Sequence, residues 1–292
     1  MVIEENIVTQ KEEQVDISML PAKYLLEIAG YIKADTLDEV NQHELAEEVR
    51  ETIYTKYGKR GIDILISSLA LLLTLPINLV IAVVTFFDVG SPLIFKQTRI
   101  GKNREKFFIY KFRNMTNEKD ANGDLLPPAM RVTKWGKFVR KTSLDELMNF
   151  VSIFKGDMSI IGPRPLIENY VPRLHNRHLT MYAVRPGLEC PFHEELDHPA
   201  TWQDRLDNYV WYAQNVSFLV DVKLIFRMVA MVFSRESTAK RSVSKNGAFL
   251  GYQKDGCVID SNGVPHKYVE MLLKNHGFDN IEDLLKERFT GG

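Results

Sequence analysis

Residues 64–87, ILISSLALLLTLPINLVIAVVTFF, contain no charged side chain. As a straight helix rising ~1.5 Å per residue, this run would exceed the ~30 Å hydrocarbon core of a bilayer. The segment therefore belongs in lipid. Whether it crosses the bilayer is a separate question. Pro76 sits near its middle, where it removes one backbone hydrogen bond and pushes on the carbonyl of Leu72. Ser67, Ser68, Thr74 and Asn78 are placed to satisfy backbone freed by a bend. Both flanks are basic, with Lys56, Lys59 and Arg60 before the run and Lys96, Arg99, Lys102, Arg104 and Lys106 after it. A spanning helix usually shows the Lys/Arg excess on one side only. A helix–break–helix hairpin that enters and leaves one leaflet fits these facts, with a kinked spanning helix as the alternative.

The remainder has globular composition, with 37 Lys+Arg against 38 Asp+Glu and 45% apolar residues, which excludes a disordered or collagenous chain. Cys190 and Cys257 stand far apart in no metal-finger or disulfide pattern, so a reducing compartment is expected. Residues 1–16 are polar and acidic, so no signal peptide is expected and the chain is expected to start in the cytosol. The balanced charge hides an asymmetry. Residues 1–50 hold twelve acids and four bases, whereas residues 51–141 hold sixteen bases and seven acids, as expected of a face toward an anionic surface or ligand.

Beyond the membrane segment, Leu93-Ile94-Phe95 and Phe107-Phe108-Ile109-Tyr110 flank a turn containing Gly101 and read as a small strand pair. Asn122-Gly123 and Pro127-Pro128 mark a loop. Arg131, Lys134, Lys137 or Phe138, and Lys141 then recur at helical spacing, a basic stripe suited to anionic headgroups. Apolar positions 144, 147, 148, 151 and 154 predict an amphipathic helix from Ser143, whose Ser143-x-x-Glu146 pattern is that of a capping box. Asp145 and Glu146 therefore read two ways: as a helix cap, or as paired carboxylates that meet a divalent cation and a phosphate. Arg164 lies between Pro163 and Pro165, whose restricted backbone suits a guanidinium to bidentate phosphate recognition. Residues 215–233 are apolar but include Asp221, Lys223 and Arg227, which predicts an interfacial helix with snorkelling cations. His193-Glu194-x-x-x-His198 misses the zinc spacing H-E-x-x-H by one residue, so no metal is expected there.

In order along the chain stand Lys59-Arg60-x-x-Asp63, the mid-run proline, Phe95-x-Gln97-x-Arg99-x-Gly101, Tyr110-Lys111-Phe112-Arg113-x-Met115, Ser143-Leu144-Asp145-Glu146-Leu147, Gly156-Asp157-Met158-Ser159, Gly162-Pro163-Arg164-Pro165 and Arg185-Pro186-Gly187. Over residues 56–235 this series resembles the monotopic polyprenyl-phosphate phosphoglycosyl transferases, the bacterial sugar transferases. The resemblance implies a mostly helical α+β monotopic membrane protein, with a re-entrant helix-break-helix hairpin, interfacial amphipathic helices and a small strand pair. It implies the hairpin (51–90) and a cytosolic transferase core (91–240). The ends lie outside the resemblance: an acidic N-terminal extension (1–50) with a helix expected over 21–32, and a C-terminal extension (241–292) with an apolar-periodic run through Tyr268, Met271 and Leu272 and a final helix near 281–289. The resemblance further implies transfer of a sugar phosphate from a nucleoside diphosphate sugar, usually a UDP-sugar, to membrane polyprenyl phosphate, with Mg²⁺ and release of UMP, at the cytosolic face of the bacterial inner membrane, as the initiating step of cell-surface glycan synthesis.

On this reading Asp145 is the nucleophile that forms an aspartyl phosphosugar, and Glu146 assists it. Asp145, Glu146 and Asp157 are candidate metal ligands. Lys59, Arg60, Arg99, Lys111, Arg113, Pro163, Arg164, Pro165 and Arg185 are candidate substrate contacts. Donor, acceptor and membrane lipid are the expected partners; nucleic acid is not, and a homo-oligomer is left open. The chain departs from the family at Leu188-Glu189-Cys190-Pro191-Phe192-His193-Glu194-Glu195, where relatives carry a Gly-Trp-Ala-Gln-type segment, which puts the choice of sugar or acceptor in question. A non-catalytic adaptor on anionic lipid is the competing class, and it predicts that Asp145 and Glu146 tolerate replacement. A CDP-alcohol phosphotransferase would need spaced aspartates on membrane helices, and residues 64–87 have none.

Overall fold

A computed structural model describes residues 14–119, 123, 125–126, 128–233 and 247–290. Asn122 and Pro127 of the expected loop, and most of the acidic opening, lie outside them. Two compact units form, one from the described parts of 1–42 and 243–291, the other from the described parts of 43–242. The first described elements are β1 (Gln14–Val15) and α1 (Ala22–His43), both in the first unit.

The second unit is organised around α2 (Lys59–Val89), entered through a π-helical turn at Tyr54–Gly58. Its 31 residues extend about 46 Å if straight. Helical geometry continues through Pro76 instead of breaking there. The nearby hydroxyls bond their own preceding turns, Ser67 to the Asp63 carbonyl, Ser68 to Ile64 and Thr74 to Ala70, and Asn78 donates to the Thr74 hydroxyl. The exposure pattern inverts that of a water-soluble helix. Leu65, Leu69, Leu72, Leu73, Leu75 and Leu79 are exposed, while Lys59, Asp63, Ser67 and Thr85 are buried. A continuous apolar surface of this length is stable in lipid, not in water.

Both ends of α2 are held by the same unit. Near the start, Arg60 donates to the carbonyls of Ile153 and Phe154 at 2.6 Å each, and Asp63 Oδ1 accepts from Ser159 Oγ at 2.9 Å and Ile160 N–H at 3.0 Å. Near the end, Trp135 Nε1 donates to Thr85 Oγ1 at 3.2 Å, Thr133 Oγ1 to Asp88 at 2.6 Å, and Arg113 to the carbonyls of Gly90 and Ser91 at 2.9 and 3.1 Å.

The expected strand pair is present and longer, as β2 (Ile94–Ile100) and β3 (Lys106–Phe112), antiparallel with Ile94 opposite Phe112. Then come α3 (Pro128–Arg131) and α4 (Lys134–Lys141), the latter N-capped by the Thr133 hydroxyl. Lys134, Lys137 and Lys141 are exposed along α4. Arg131 leaves the stripe, because its guanidinium donates to the Leu126 and Thr116 carbonyls. The single helix expected from Ser143 is instead a 3₁₀ segment, Leu144–Met148, followed by α5 (Asn149–Lys155). No capping box forms, since Ser143 sits at φ 57° and makes no side-chain cap bond. Beyond α5, β4 (Ser159–Ile161) pairs in parallel with β5 (Gly187–Glu189), after the intervening short α6 (Asn176–Leu179). A Cβ on Gly187 would stand 2.1 Å from the nitrogen of Gly162, so only glycine permits this approach. Next come α7 (Trp202–Asn215) and α8 (Phe218–Phe233). On α8, Lys223 is exposed, but Asp221 is buried and accepts from Lys59 Nζ at 2.7 Å, Tyr212 Oη at 2.6 Å and Tyr54 Oη at 2.5 Å. Arg227 donates to the Phe192 carbonyl instead of reaching into solvent.

The segments expected as separate extensions fold with each other. β6 (Phe249–Tyr252) pairs with β7 (Val258–Asp260), β8 (Val264–Pro265) pairs with β1, and α9 (His266–His276) and α10 (Ile281–Thr290) follow. Tyr24, Ile28 and Ile32 of α1 share one core with Leu250, Ile259, Tyr268, Leu272 and Leu284. Residues 44–50 belong elsewhere. The Arg177 N–H donates to the Glu44 carbonyl, and Glu47 accepts from the Arg177 side chain at 2.7 Å, both within the second unit.

The Lys59–Asp221 pair yields a stability prediction. Their side chains are 9% and 6% exposed, so removing one partner leaves a buried uncompensated charge. Lys59→Met should lower unfolding stability in detergent by about 3–5 kcal/mol, and Lys59→Met/Asp221→Leu by distinctly less. A double-variant loss equal to the sum of the Lys59→Met and Asp221→Leu losses would show that the pair is not coupled.

Candidate active site

The site is assembled from four short pieces of the second unit. β2 supplies Arg99, β3 supplies Lys111, the 3₁₀ segment supplies Asp145 and Glu146, and the loop after β4 supplies Arg164. The left-handed Ser143 turns the chain sharply off α4, and its carbonyl accepts the N–H of Glu146, which closes the 3₁₀ turn. Arg164 is presented between two prolines whose carbonyls are occupied. That of Pro163 accepts from Gly187 N–H at 2.9 Å, and that of Pro165 from Arg99 Nη1 at 3.1 Å.

Glu146 is the centre of the arrangement. Its Oε1 accepts from Lys111 Nζ at 3.0 Å and from Arg164 Nη2 at 3.0 Å. Lys111 also stands 3.8 Å from Asp145 Oδ2. Arg99, Lys111, Glu146, Asn149 and Arg164 are the polar residues, and Ile109, Met158, Pro165 and Leu188 the apolar ones, that line a cleft open to solvent. Asp145 is 7% exposed and lies beside the cleft, reached through Lys111. Three cations against two carboxylates leave one net positive charge, which suits an anionic ligand such as a diphosphate.

The two carboxyls are driven apart electrostatically. Burial raises Asp145 above the ordinary carboxylate range, with Lys111 opposing and the neighbouring Glu146 charge adding to it. Burial acts on Glu146 in the same direction, but Arg164 and Lys111 outweigh it and hold that carboxyl below the usual range. Glu146 is thus a fixed anion already committed to cations, while Asp145 is the more basic group with weaker pairing. Adjacent carboxyls displaced in opposite directions are suited to different roles.

The other candidate contacts lie elsewhere for identifiable reasons. Lys59 is spent on Asp221, Arg60 on the carbonyls ending α5, and Arg113 on the chain leaving α2. Arg185 donates to the Gly156 carbonyl. Asp157 pairs with Lys155 at 3.2 Å and does not join the two carboxylates. Among the described residues no group of three or more His, Cys, Asp or Glu is arranged to hold a metal. Mg²⁺ nevertheless commonly takes only one or two carboxylates and completes its shell with water and substrate phosphates, so Asp145 and Glu146 fit it without a third ligand. In the divergent segment, His193 stacks on Trp211 at 3.9 Å and meets Asn208, and His198 meets the Pro199 carbonyl, so the two rings serve local structure. Asn149 joins the site without having been expected. Its signal was its place three residues after Glu146, a spacing that shares one face in a 3₁₀ or an α-helix.

Residues 54–235 match the model of a family described as bacterial sugar transferase. The chain is 36% identical over 178 residues to an uncharacterized sugar transferase, EpsL, of Bacillus subtilis (strain 168), covering 61% of this chain and 88% of that protein. It is 32% identical over 215 residues to the UDP-N-acetylgalactosamine-undecaprenyl-phosphate N-acetylgalactosaminephosphotransferase of Aeromonas hydrophila, covering 71% of this chain and 50% of the relative. It is 35% identical over 191 residues to the UDP-glucose:undecaprenyl-phosphate glucose-1-phosphate transferase of Klebsiella pneumoniae, covering 61% of this chain and 41% of the relative. The chain thus spans half or less of the length of the last two.

The raised Asp145 carboxyl sets a pH-dependent expectation. A carboxyl whose folded value is raised contributes stability below its unfolded value, about 3.9, and loses it as pH rises through the folded value. Raising the pH from 4 to 7 therefore makes the buried Asp145 carboxyl less favourable to the folded state. Asp145→Asn should raise the melting temperature relative to the parent more at pH 7 than at pH 4. A difference that shrinks toward pH 7 would contradict the assigned direction.

Proposed function

The chain belongs to the bacterial sugar transferase family, and from that membership we propose that it transfers a sugar phosphate from a UDP-sugar to a membrane polyprenyl phosphate through a covalent intermediate on Asp145. The observation that carries this reading is the opposite tuning of adjacent carboxyls in a net cationic cleft, on the unit that also holds both ends of an apolar helix. A lipid-surface adaptor would have no use for such a pair.

In the first step a carboxylate oxygen of Asp145 attacks the sugar-bearing phosphorus of the donor. The bond from that phosphorus to the bridging oxygen breaks, and UMP leaves with the electron pair. In the second step a phosphate oxygen of the polyprenyl carrier attacks the same phosphorus and expels the Asp145 carboxylate, giving the polyprenyl diphosphate sugar. Lys111 and Arg164 face the diphosphate oxygens, and Glu146 holds these two cations in place so that they need not reorganise as charge moves. Arg99, held by Pro165 and Gln97, adds a third positive group to the cleft wall. When bound, Mg²⁺ held by Asp145 and Glu146 supplies further neutralisation of the diphosphate charge. The covalent division lets a water-soluble donor and a lipid acceptor react in turn at one carboxylate.

For the membrane segment, both ends of α2 returning to one folded unit support a re-entrant arrangement, with the apolar middle in the cytosolic leaflet of the inner membrane and the bend accommodated near Pro76 within continuous helical geometry. A helix that crossed the bilayer would carry one of those docking sites to the opposite face.

Two measurements test these readings. UDP-sugar without acceptor should release about one UMP per enzyme and leave a sugar-phosphate label on the peptide containing Asp145. The label should vanish in Asp145→Asn, and its persistence, or the absence of any burst in the parent, would remove the covalent assignment. Single cysteines at Lys56 and Lys106 should label from the same face of oriented vesicles, and labelling from opposite faces would establish a spanning helix.

A further inference from the structure

Glu146 and Arg164 come from two arms of the chain that part at one turn. The first arm is the 3₁₀ segment with α5, the second is β4 with the loop after it, and residues 156–158 join them, turning at Gly156 with φ 99°. The far ends of the arms meet where Arg164 donates to Glu146 at 3.0 Å. One turn of α2 holds both arms. Arg60 donates to the carbonyls of Ile153 and Phe154 in the first, and Asp63 Oδ1 accepts from the Ser159 hydroxyl and the Ile160 N–H in the second. Three residues apart, Arg60 and Asp63 share a face of the helix, so their separation is fixed by its backbone.

The other bonds of the second arm lead elsewhere. Ser159 N–H to Pro186, Gly162 N–H to Glu189 and Gly187 N–H to Pro163 tie it to β5 and the residue before it. Tyr212 on α7 meets the Ile161 carbonyl at 3.0 Å, and Arg99 on β2 holds the Pro165 carbonyl. Asp63 alone among these ties the arm to the helix turn that also grips α5. It is 2% exposed and does not line the cleft, so it has no direct contact with a ligand there. We propose that Asp63 is a positioning residue for Arg164: through β4 it sets where the guanidinium stands relative to Glu146 and Lys111, and so how well the cleft binds the donor diphosphate. This assignment rests on the reading of the donor as a nucleoside diphosphate sugar. Asp63 immediately precedes the charge-free run 64–87, so the helix that enters lipid also sets the donor cleft.

The test measures donor KM and kcat of the full chain reconstituted in lipid, with undecaprenyl phosphate as acceptor and the UDP-sugar that the parent turns over fastest in a panel of UDP-hexoses and UDP-N-acetylhexosamines. Asp63→Leu should raise donor KM about tenfold, whereas Asp63→Asn, which keeps the Oδ1 acceptor, should stay within about threefold of the parent. A merely structural role lowers the amount of active enzyme and thus kcat, with donor KM unchanged, and that result overturns the proposal. So does an Asn variant as impaired in donor KM as the Leu variant, because the hydrogen bonds would then not be what matters. A double-variant cycle ties the effect to Arg164. Introduced into Arg164→Ala, Asp63→Leu should lower kcat/KM by less than about threefold further, and losses that multiply in full would show that Asp63 acts independently of Arg164. If Asp63→Leu fails to fold, Ser159→Ala takes its place in both measurements. It removes one of the two bonds and should raise donor KM about threefold in the parent and not in Arg164→Ala, while an unchanged KM in the parent overturns the proposal. A parent that releases no UMP from any UDP-sugar in the presence of acceptor removes the transferase reading itself, and this inference with it.

Discussion

The arrangement of the second unit depends on how α2 is divided between two solvents. Its middle turns leucines outward, while its buried positions other than Ile81 are polar and concentrated toward the ends, where Arg60, Asp63, Thr85 and Asp88 are all engaged by the folded unit. Backbone carbonyls and hydroxyls can hold a helix end in water, but they give nothing to a hydrocarbon surface. The helix is therefore anchored at its polar ends and left bare where lipid must cover it. The same anchors organise the site. Asp63 bonds Ser159 and Ile160 at β4, which leads directly to the Pro-Arg-Pro loop, and Arg60 caps α5, which begins at Asn149. The placement of the cleft and the grip on the membrane helix are one set of contacts.

Within the cleft, Glu146 takes the position that a simpler reading would give to a helix cap. Two cations converge on one of its oxygens, which fixes Lys111 from β3 and Arg164 from the loop relative to each other. A cation held by a carboxylate is oriented before substrate arrives, so little is lost to reorganisation when phosphate replaces part of that pairing. Asp145 gains from the arrangement indirectly. Its neighbour absorbs most of the local positive charge, and burial keeps its own carboxyl raised.

The acidic beginning and the polar tail illustrate a different kind of constraint. Each of α1, α9 and α10 has an apolar stripe too narrow to fold alone, and together with two short strand pairs they enclose a single core. Periodicity marked Tyr268, Met271 and Leu272 and the final helix as ordered. It could not mark their partner, because the partner lies more than two hundred residues earlier.

What the sequence determined by itself was whatever depends on neighbours along the chain. The apolar run, the strand pair, the Asp145-Glu146 dyad and the Pro163-Arg164-Pro165 loop were all legible, since composition and short-range spacing govern them. The tertiary structure decided which cation meets which anion. Lys59, Arg60, Arg113 and Arg185 look no different in sequence from Lys111 and Arg164, yet the first four serve buried structure and the last two serve the cleft. The physical reason is that a charged side chain is defined by its partner. Lys59 and Asp221 are 162 positions apart, Asp63 and Ser159 are 96 apart, and only the folded chain brings such groups within hydrogen-bond reach.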